Sequence, residues 1–241
     1  MPSNLMIPNV ERAPWAEVVY DFMRVWDQGQ HVSCIGPNGG GKSSVCRAII
    51  EERIRLRHSR FCMLHTKRKD RLFERFLREG WHQYAHWPPD WEGRESGKVI
   101  IRPPYGRASD ISARKRVIIA TIDAIIKETS WGLYVDEAAY LVETLGLRIL
   151  LDELWNSARA ADITVVAGSQ RASWINRAML SEQQWLIGFK LTDRDDRLRL
   201  AEVMGNRELE PVLDSLKPHE FVVGRTRVNE YVISQLPRDW L

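Results

Sequence analysis

No run in the 241 residues approaches the ~20 consecutive apolar residues that span a bilayer, so no membrane-crossing helix is expected. The opening residues, Met1-Pro2-Ser3-Asn4-Leu5, offer no charged region followed by an apolar stretch, which argues against a secretory leader. Cysteine is scarce: Cys34, Cys46 and Cys62 include no C-x-x-C pair. A disulfide framework and a thiolate metal cluster are therefore not expected, and the three read as buried thiols of a reducing compartment. Repeats and low-complexity tracts are missing as well. These absences together lead us to expect a cytoplasmic protein. A strong charge of one sign is also lacking: the formal net charge is only +3. That value permits a polyanionic partner without requiring one.

The positive charge is nevertheless uneven. From Arg47 to Arg78 there are eleven Lys or Arg against four Asp or Glu, and a second basic group follows at Arg102, Arg107, Arg114, Lys115 and Arg116. Each stretch taken alone reads equally well as the solvated face of an amphipathic helix.

Helical and strand-like segments alternate along the chain, the pattern of an α/β protein with a mostly parallel sheet flanked by helices. Length and pattern suggest one domain over residues 1–241. Helices are expected over Trp15–Asp27, Lys42–Arg57, Arg68–Arg78, Ile111–Glu128 and Thr144–Ala161, followed by two short ones. Strands are expected at His31–Ile35, Phe61–His65, Lys98–Arg102, Trp131–Val135, Ile163–Gly168 and Trp185–Leu191. Phe221–Gly224 and Glu230–Ser234 read as a closing C-terminal hairpin. Between Gly80 and Gly97 the sequence reads as a structured loop or small insertion. It holds Trp81, Trp87 and Trp91, which either pack on the core or present stacking faces for bases.

The chemistry begins at Gly36-Pro37-Asn38-Gly39-Gly40-Gly41-Lys42-Ser43-Ser44, which meets the spacing G-x-x-x-x-G-K-[ST] between an apolar strand and a helix. Glycines let successive backbone N–H groups turn inward around phosphates, where side chains would block the approach. The helix adds its positive dipole end. Lys42 is then placed for the β- and γ-phosphates of ATP, and Ser43 for Mg²⁺. A second carboxylate is needed near Mg²⁺, and Leu133-Tyr134-Val135-Asp136-Glu137 ends a strand on one. Asp136 is expected to hold the metal shell and Glu137 to polarise the attacking water, although such an acid pair also serves as a helix cap. One strand later, Gln170 stands where a polar side chain could sense the γ-phosphate or position water. The alternative is a surface-loop glutamine.

The run Ala158-Arg159-Ala160-Ala161-Asp162-Ile163-Thr164-Val165-Val166-Ala167-Gly168-Ser169-Gln170-Arg171 resembles the arginine, apolar strand and Gln-Arg signature of the FtsK/HerA superfamily of DNA-translocating P-loop ATPases. With the glycine loop and Asp136-Glu137, the resemblance covers roughly Val32 to Met204. Within that superfamily the chain is most similar to the small genome-packaging ATPases of double-stranded DNA viruses of the tailless, membrane-containing phage type. The resemblance implies an additional-strand, catalytic-glutamate core that assembles into homo-oligomeric hexameric or pentameric rings. It also implies double-stranded DNA as a partner, a possible capsid vertex or portal-like partner, and possible association with the virion. It makes Arg159 the first choice for an arginine finger acting on a neighbouring subunit, and Arg171 the second. A solvated arginine at a helix end is the alternative for Arg159. Pore contacts to DNA phosphates would come from Lys67, Arg68 and Lys69 and from Arg107, Arg114, Lys115 and Arg116. The Trp-rich segment departs from the family pattern.

Other readings predict different observables. A conjugation, plasmid-transfer or HerA-like DNA-processing ATPase would share the whole site. A nucleotide-dependent scaffold or switch would be expected to have lost Lys42, Ser43, Asp136 or Glu137. A small-molecule kinase would carry a lid and an acceptor pocket, and would ignore DNA.

Overall fold

The structure is a computed structural model and describes residues 10–67, 71–89, 97–104, 110–172 and 177–240. Its centre is a nine-stranded sheet, counted among the described residues, with spatial order β3-β4-β2-β5-β6-β1-β7-β8-β9. The strands are β1 (Val32–Ile35), β2 (Arg60–Leu64), β3 (His82–Tyr84), β4 (Lys98–Ile101), β5 (Trp131–Val135), β6 (Thr164–Ser169), β7 (Trp185–Phe189), β8 (Glu220–Arg225) and β9 (Glu230–Gln235). From β3 to β7 every neighbouring pair is parallel, and β8 and β9 close the sheet as an antiparallel hairpin. Beyond β9, the backbone of Glu11 and Ala13 pairs with Ile233.

The central strands β1, β5, β6 and β7 are buried along their whole length. Near-continuous apolar runs of this kind arise where helices cover both faces of a parallel sheet. On one face α1 (Trp15–Val25), α2 (Lys42–Arg57) and α3 (Arg71–Arg78) pack through Phe22, Val45, Ile49 and Phe76. The opposite face holds α4 (Ile111–Glu128), α5 (Arg148–Ser157), α6 (Arg177–Ser181), α7 (Arg194–Val203) and α8 (Leu209–Ser215), with Ile122, Leu154, Leu200 and Leu213 against the strands. The strand ends that carry the motifs therefore open on one edge of the sheet, where ligands of such sheets bind.

Two expectations need correction. The segment expected as a loop contains β3, a short parallel edge strand on β4. Its indoles are core groups. Trp81 is buried and donates to Glu51, while Trp87 is buried edge-on against Trp131 at 5.1 Å and donates to Glu128. Neither presents a face to a base; Trp91 lies outside the described residues. The helix expected over Thr144–Ala161 is shorter: α5 spans only Arg148–Ser157, and a π-helical turn at Tyr140–Thr144 precedes it. Gly146 separates them at φ +63°, a conformation that suits glycine and breaks helical continuity. At the other end, Ala158–Asp162 forms a turn.

Candidate nucleotide and metal site

The glycine loop leaves β1 at Gly36 and enters α2 at Lys42. A Cβ on Gly36 would stand 2.5 Å from the Phe189 Cβ, so the loop's first turn passes against β7 with no room for a side chain. Gly39 and Gly41 have φ of +74° and +105°, which turns the backbone inward and leaves Gly41 as a left-handed cap on α2. A Cβ at Gly39 would meet nothing within 4 Å, so that stretch faces open space of the kind a phosphate chain fills. Ser44 is buried in the first turn of α2. Lys42 donates to the Pro37 carbonyl at 2.9 Å. Burial lowers its pKa, while the nearby carboxylates of Glu137 and Asp136 oppose that shift.

Asp136 stands just past β5 and is almost wholly buried. Its Oδ1 accepts from the Ser43 hydroxyl at 2.8 Å and from the Tyr134 hydroxyl at 2.7 Å. Its Oδ2 takes the ammonium of Lys67. The donor set fits a hard divalent cation such as Mg²⁺: a hydroxyl and a carboxylate already in contact at the start of α2. Glu137 is held by Gln170, whose Nε2 donates to Oε2 at 2.9 Å. Its Oε1 is buried with no hydrogen-bond partner among the described residues. Burial raises the Glu137 pKa, with Gln170 and Lys42 pulling the other way.

The sheet register produces this convergence. Strands β5 and β6 pair with Val135 opposite Ala167, so Asp136-Glu137 and Ser169-Gln170 emerge side by side. Gly168 permits that approach: a Cβ there would sit 2.5 Å from the Asp136 carbonyl oxygen. Backbone has little freedom to yield, so Gly168→Ala is expected to destabilise the protein by about 1–3 kcal/mol. The measurement is a thermal melt, and an unchanged melting temperature would show that the strands can separate there at no cost.

Beside the loop, a cavity of about 430 Å³ is lined by Asn38, Gly40, Phe189, Lys190 and Pro218. A smaller one of about 160 Å³ runs between Asn38, Gln170, Arg171 and Thr192. Nucleotide atoms beyond the phosphates have space here. A third cavity, between α1 and the closing hairpin, is edged by Glu11, Glu17, Asp21 and Glu230 against the single cation Arg225, a balance that would disfavour phosphate.

Arg159 is not part of this constellation. It is exposed on the turn after α5, where the Asp162 N–H donates to its carbonyl at 3.2 Å. It also packs beside Gly29, ahead of β1, and so stands at the opposite edge of the sheet from the glycine loop. A hydrogen-bonded brace holds its turn to α2: Gln28 donates to the Asp162 carbonyl at 2.7 Å, and Arg53 donates to the Gln28 side chain at 2.9 Å. Arg171 remains on the loop's side of the sheet and pairs with Asp196 at 3.6 Å.

Of the basic candidates, Lys67 is on Asp136, and Arg114 donates to the Tyr140 hydroxyl at 2.6 Å. Lys115 is half-buried with its ammonium near Gly146, and Arg116 is exposed. Arg68, Lys69 and Arg107 lie outside the described residues. Because β2 and β4 are neighbours, Lys67 and Arg102 leave the sheet on the same edge as the glycine loop. Two contacts were missed from sequence, those of Tyr134 and Lys67 with Asp136. The first had a signal, since residues two apart in a strand share a face; the second had none.

No family model matches the chain, and no curated protein matches it. Solved structures do. The DNA-packaging ATPase B204 from Sulfolobus turreted icosahedral virus is 15% identical, with a TM-score of 0.65 over 88% of this chain and 99% of that one. B204 from Sulfolobus turreted icosahedral virus 2, in complex with AMPPCP, is 13% identical, with a TM-score of 0.62 over 88% of this chain and 100% of that one. VirB4 of Thermoanaerobacter pseudethanolicus is 11% identical, with a TM-score of 0.65 over 86% of this chain and 89% of that one. The cytoplasmic domain of the Thermomonospora curvata type VII secretion ATPase EccC is 16% identical, with a TM-score of 0.58 over 86% of this chain and 25% of that one. The chain has the fold of these P-loop ATPases. No described helix is long and apolar enough to cross a membrane.

Proposed function

We propose that this protein is an ATP-hydrolysing motor of the FtsK/HerA type that moves double-stranded DNA, packaging a viral genome into a preformed capsid. The observation that carries the ATPase reading is the pairing of two contacts at adjacent strand ends. Ser43 and Asp136 are joined at 2.8 Å, and Gln170 holds Glu137 at 2.9 Å. The first pair would hold Mg²⁺, which when bound neutralises phosphate charge. Glu137 would take the proton of the attacking water, with Gln170 orienting its carboxylate. Lys42 would leave the Pro37 carbonyl for the β- and γ-phosphates, and the backbone N–H groups of Gly36–Ser44 would cradle them.

DNA as the cargo, the virus as the setting and a single domain over residues 1–241 rest on the sequence signature and on the likeness in size and fold to B204. A homo-oligomeric ring is supported by the placement of Arg159, which is exposed and out of reach of its own glycine loop. Likeness to EccC favours a second reading, a secretion ATPase.

Steady-state ATPase activity with and without long double-stranded DNA, at rising salt, separates the two. The expected result is stimulation of several-fold at low salt that fades as salt rises, since protein–phosphate contacts release counterions, with a log–log slope of about −0.9 per phosphate contact. Turnover by the assembled protein that ignores DNA would overturn the DNA reading and favour the second.

A further inference from the structure

We infer that Lys67 couples the metal site to bound DNA: its ammonium neutralises Asp136 while no metal is there, and a divalent cation arriving with nucleotide releases it to a backbone phosphate. The inference rests on the proposed reading of Asp136 as a metal ligand and of DNA as the partner.

The geometry around Asp136 is asymmetric. Oδ1 is taken by two neutral hydroxyls, Ser43 and Tyr134, and neither compensates a charge. Among the described residues, Lys67 is the cation in direct contact with the carboxylate, on Oδ2, while Lys42 acts on it only through space. Asp136 is buried, and a buried carboxylate without a countercharge is strongly disfavoured. Lys67 therefore supplies at Oδ2 the kind of charge that a metal would supply. The two cannot share the carboxylate, because a divalent cation and an ammonium a few ångströms apart repel strongly in a low-dielectric site.

Lys67 is built to leave. The backbone before it is anchored, with His65 and Thr66 buried and the His65 N–H donating to the Ile101 carbonyl at 3.0 Å. Its own side chain is 38% exposed. A flexible four-carbon stem with a compact charge can swing from the carboxylate toward solvent while its backbone stays fixed. It swings at the sheet edge that β2 shares with β4 and the glycine loop, in the stretch richest in Lys and Arg. The metal-site carboxylate and a DNA phosphate then compete for the same ammonium.

Linkage gives the consequence. Whatever draws Lys67 off Asp136 frees the carboxylate for metal, so DNA tightens metal binding and metal tightens DNA binding by one common factor. Typical couplings of this kind are about 5–150-fold.

The test measures Mn²⁺ binding to the full chain by electron paramagnetic resonance, with a non-hydrolysable ATP analogue, with and without long double-stranded DNA. In the wild type, DNA is expected to tighten Mn²⁺ several-fold. Lys67→Gln is expected to tighten Mn²⁺ by about tenfold without DNA, within the range of such couplings, and to abolish the further effect of DNA. Lys67→Arg, which grips a carboxylate with a two-pronged fork, is expected to weaken Mn²⁺; it also serves if the glutamine variant does not fold. Unchanged Mn²⁺ affinity in both variants would overturn the inference. So would a DNA effect that survives undiminished in Lys67→Gln. If Lys67→Gln tightens Mn²⁺ but DNA changes nothing in the wild type, the coupling is overturned, and the salt-dependent ATPase assay decides separately whether DNA is the partner. If Asp136→Asn leaves Mn²⁺ binding as in the wild type, the metal reading of Asp136 is what has failed.

Discussion

Glu137→Gln is expected to bind ATP as tightly as the wild type and to hydrolyse it at least about 10²-fold more slowly, since a positioned general base contributes roughly 10²–10⁴ in rate. The substitution keeps the size of the side chain and an oxygen that can still accept from Gln170. What it removes is the basic lone pair on Oε1, the buried atom without a partner. In the proposed function, phosphate binding uses the glycine loop and Lys42 on different elements, so affinity should survive. Single-turnover hydrolysis together with equilibrium binding of a fluorescent nucleotide makes the measurement. Normal hydrolysis by this variant would remove Glu137 as the base, and lost affinity would mean that its charge organises the loop.

Arg159→Ala is expected to lower kcat of the assembled protein by about 10³–10⁵, the range for an arginine that stabilises the transferring phosphoryl group from a neighbouring subunit. Its own nucleotide affinity should not change, because the side chain stands at the far edge of the sheet. The decisive form of the experiment mixes two inactive proteins. In a ring of Arg159→Ala and Glu137→Gln subunits, some sites combine an intact Glu137 with a neighbour's intact Arg159, and activity should return. Full activity of Arg159→Ala alone would dismiss the residue and turn attention to Arg171. Inactivity without complementation would point to a role within the subunit, where Gln28 and Arg53 brace the same turn.

Much of this site was legible because its signals are local. The loop's glycines answer a backbone demand set within eight residues, and Gly39 and Gly41 do adopt the left-handed conformations that the spacing implies. Apolar strands that end in Asp136-Glu137 and Ser169-Gln170 announce themselves by hydrophobic run length. Where local signals conflict, sequence reading fails. His82–Tyr84 forms a strand because β4 offers an unpaired edge, although the tryptophans around it read as an insertion. Thr144–Ala161 has a helical pattern, yet Gly146 at positive φ delays the helix to Arg148.

By itself the sequence determined the glycine loop, the acid pair and the parallel α/β character, since each depends on residues close in the chain. Only the tertiary structure decided what meets what. Strand order put β6 beside β5 and so joined Gln170 to Glu137, a contact between residues 33 positions apart. It also carried Lys67 to Asp136 and Arg159 to the opposite edge of the sheet. The physical reason is that buried charges must find partners, and which partners lie within reach is set by the packing of strands distant in sequence.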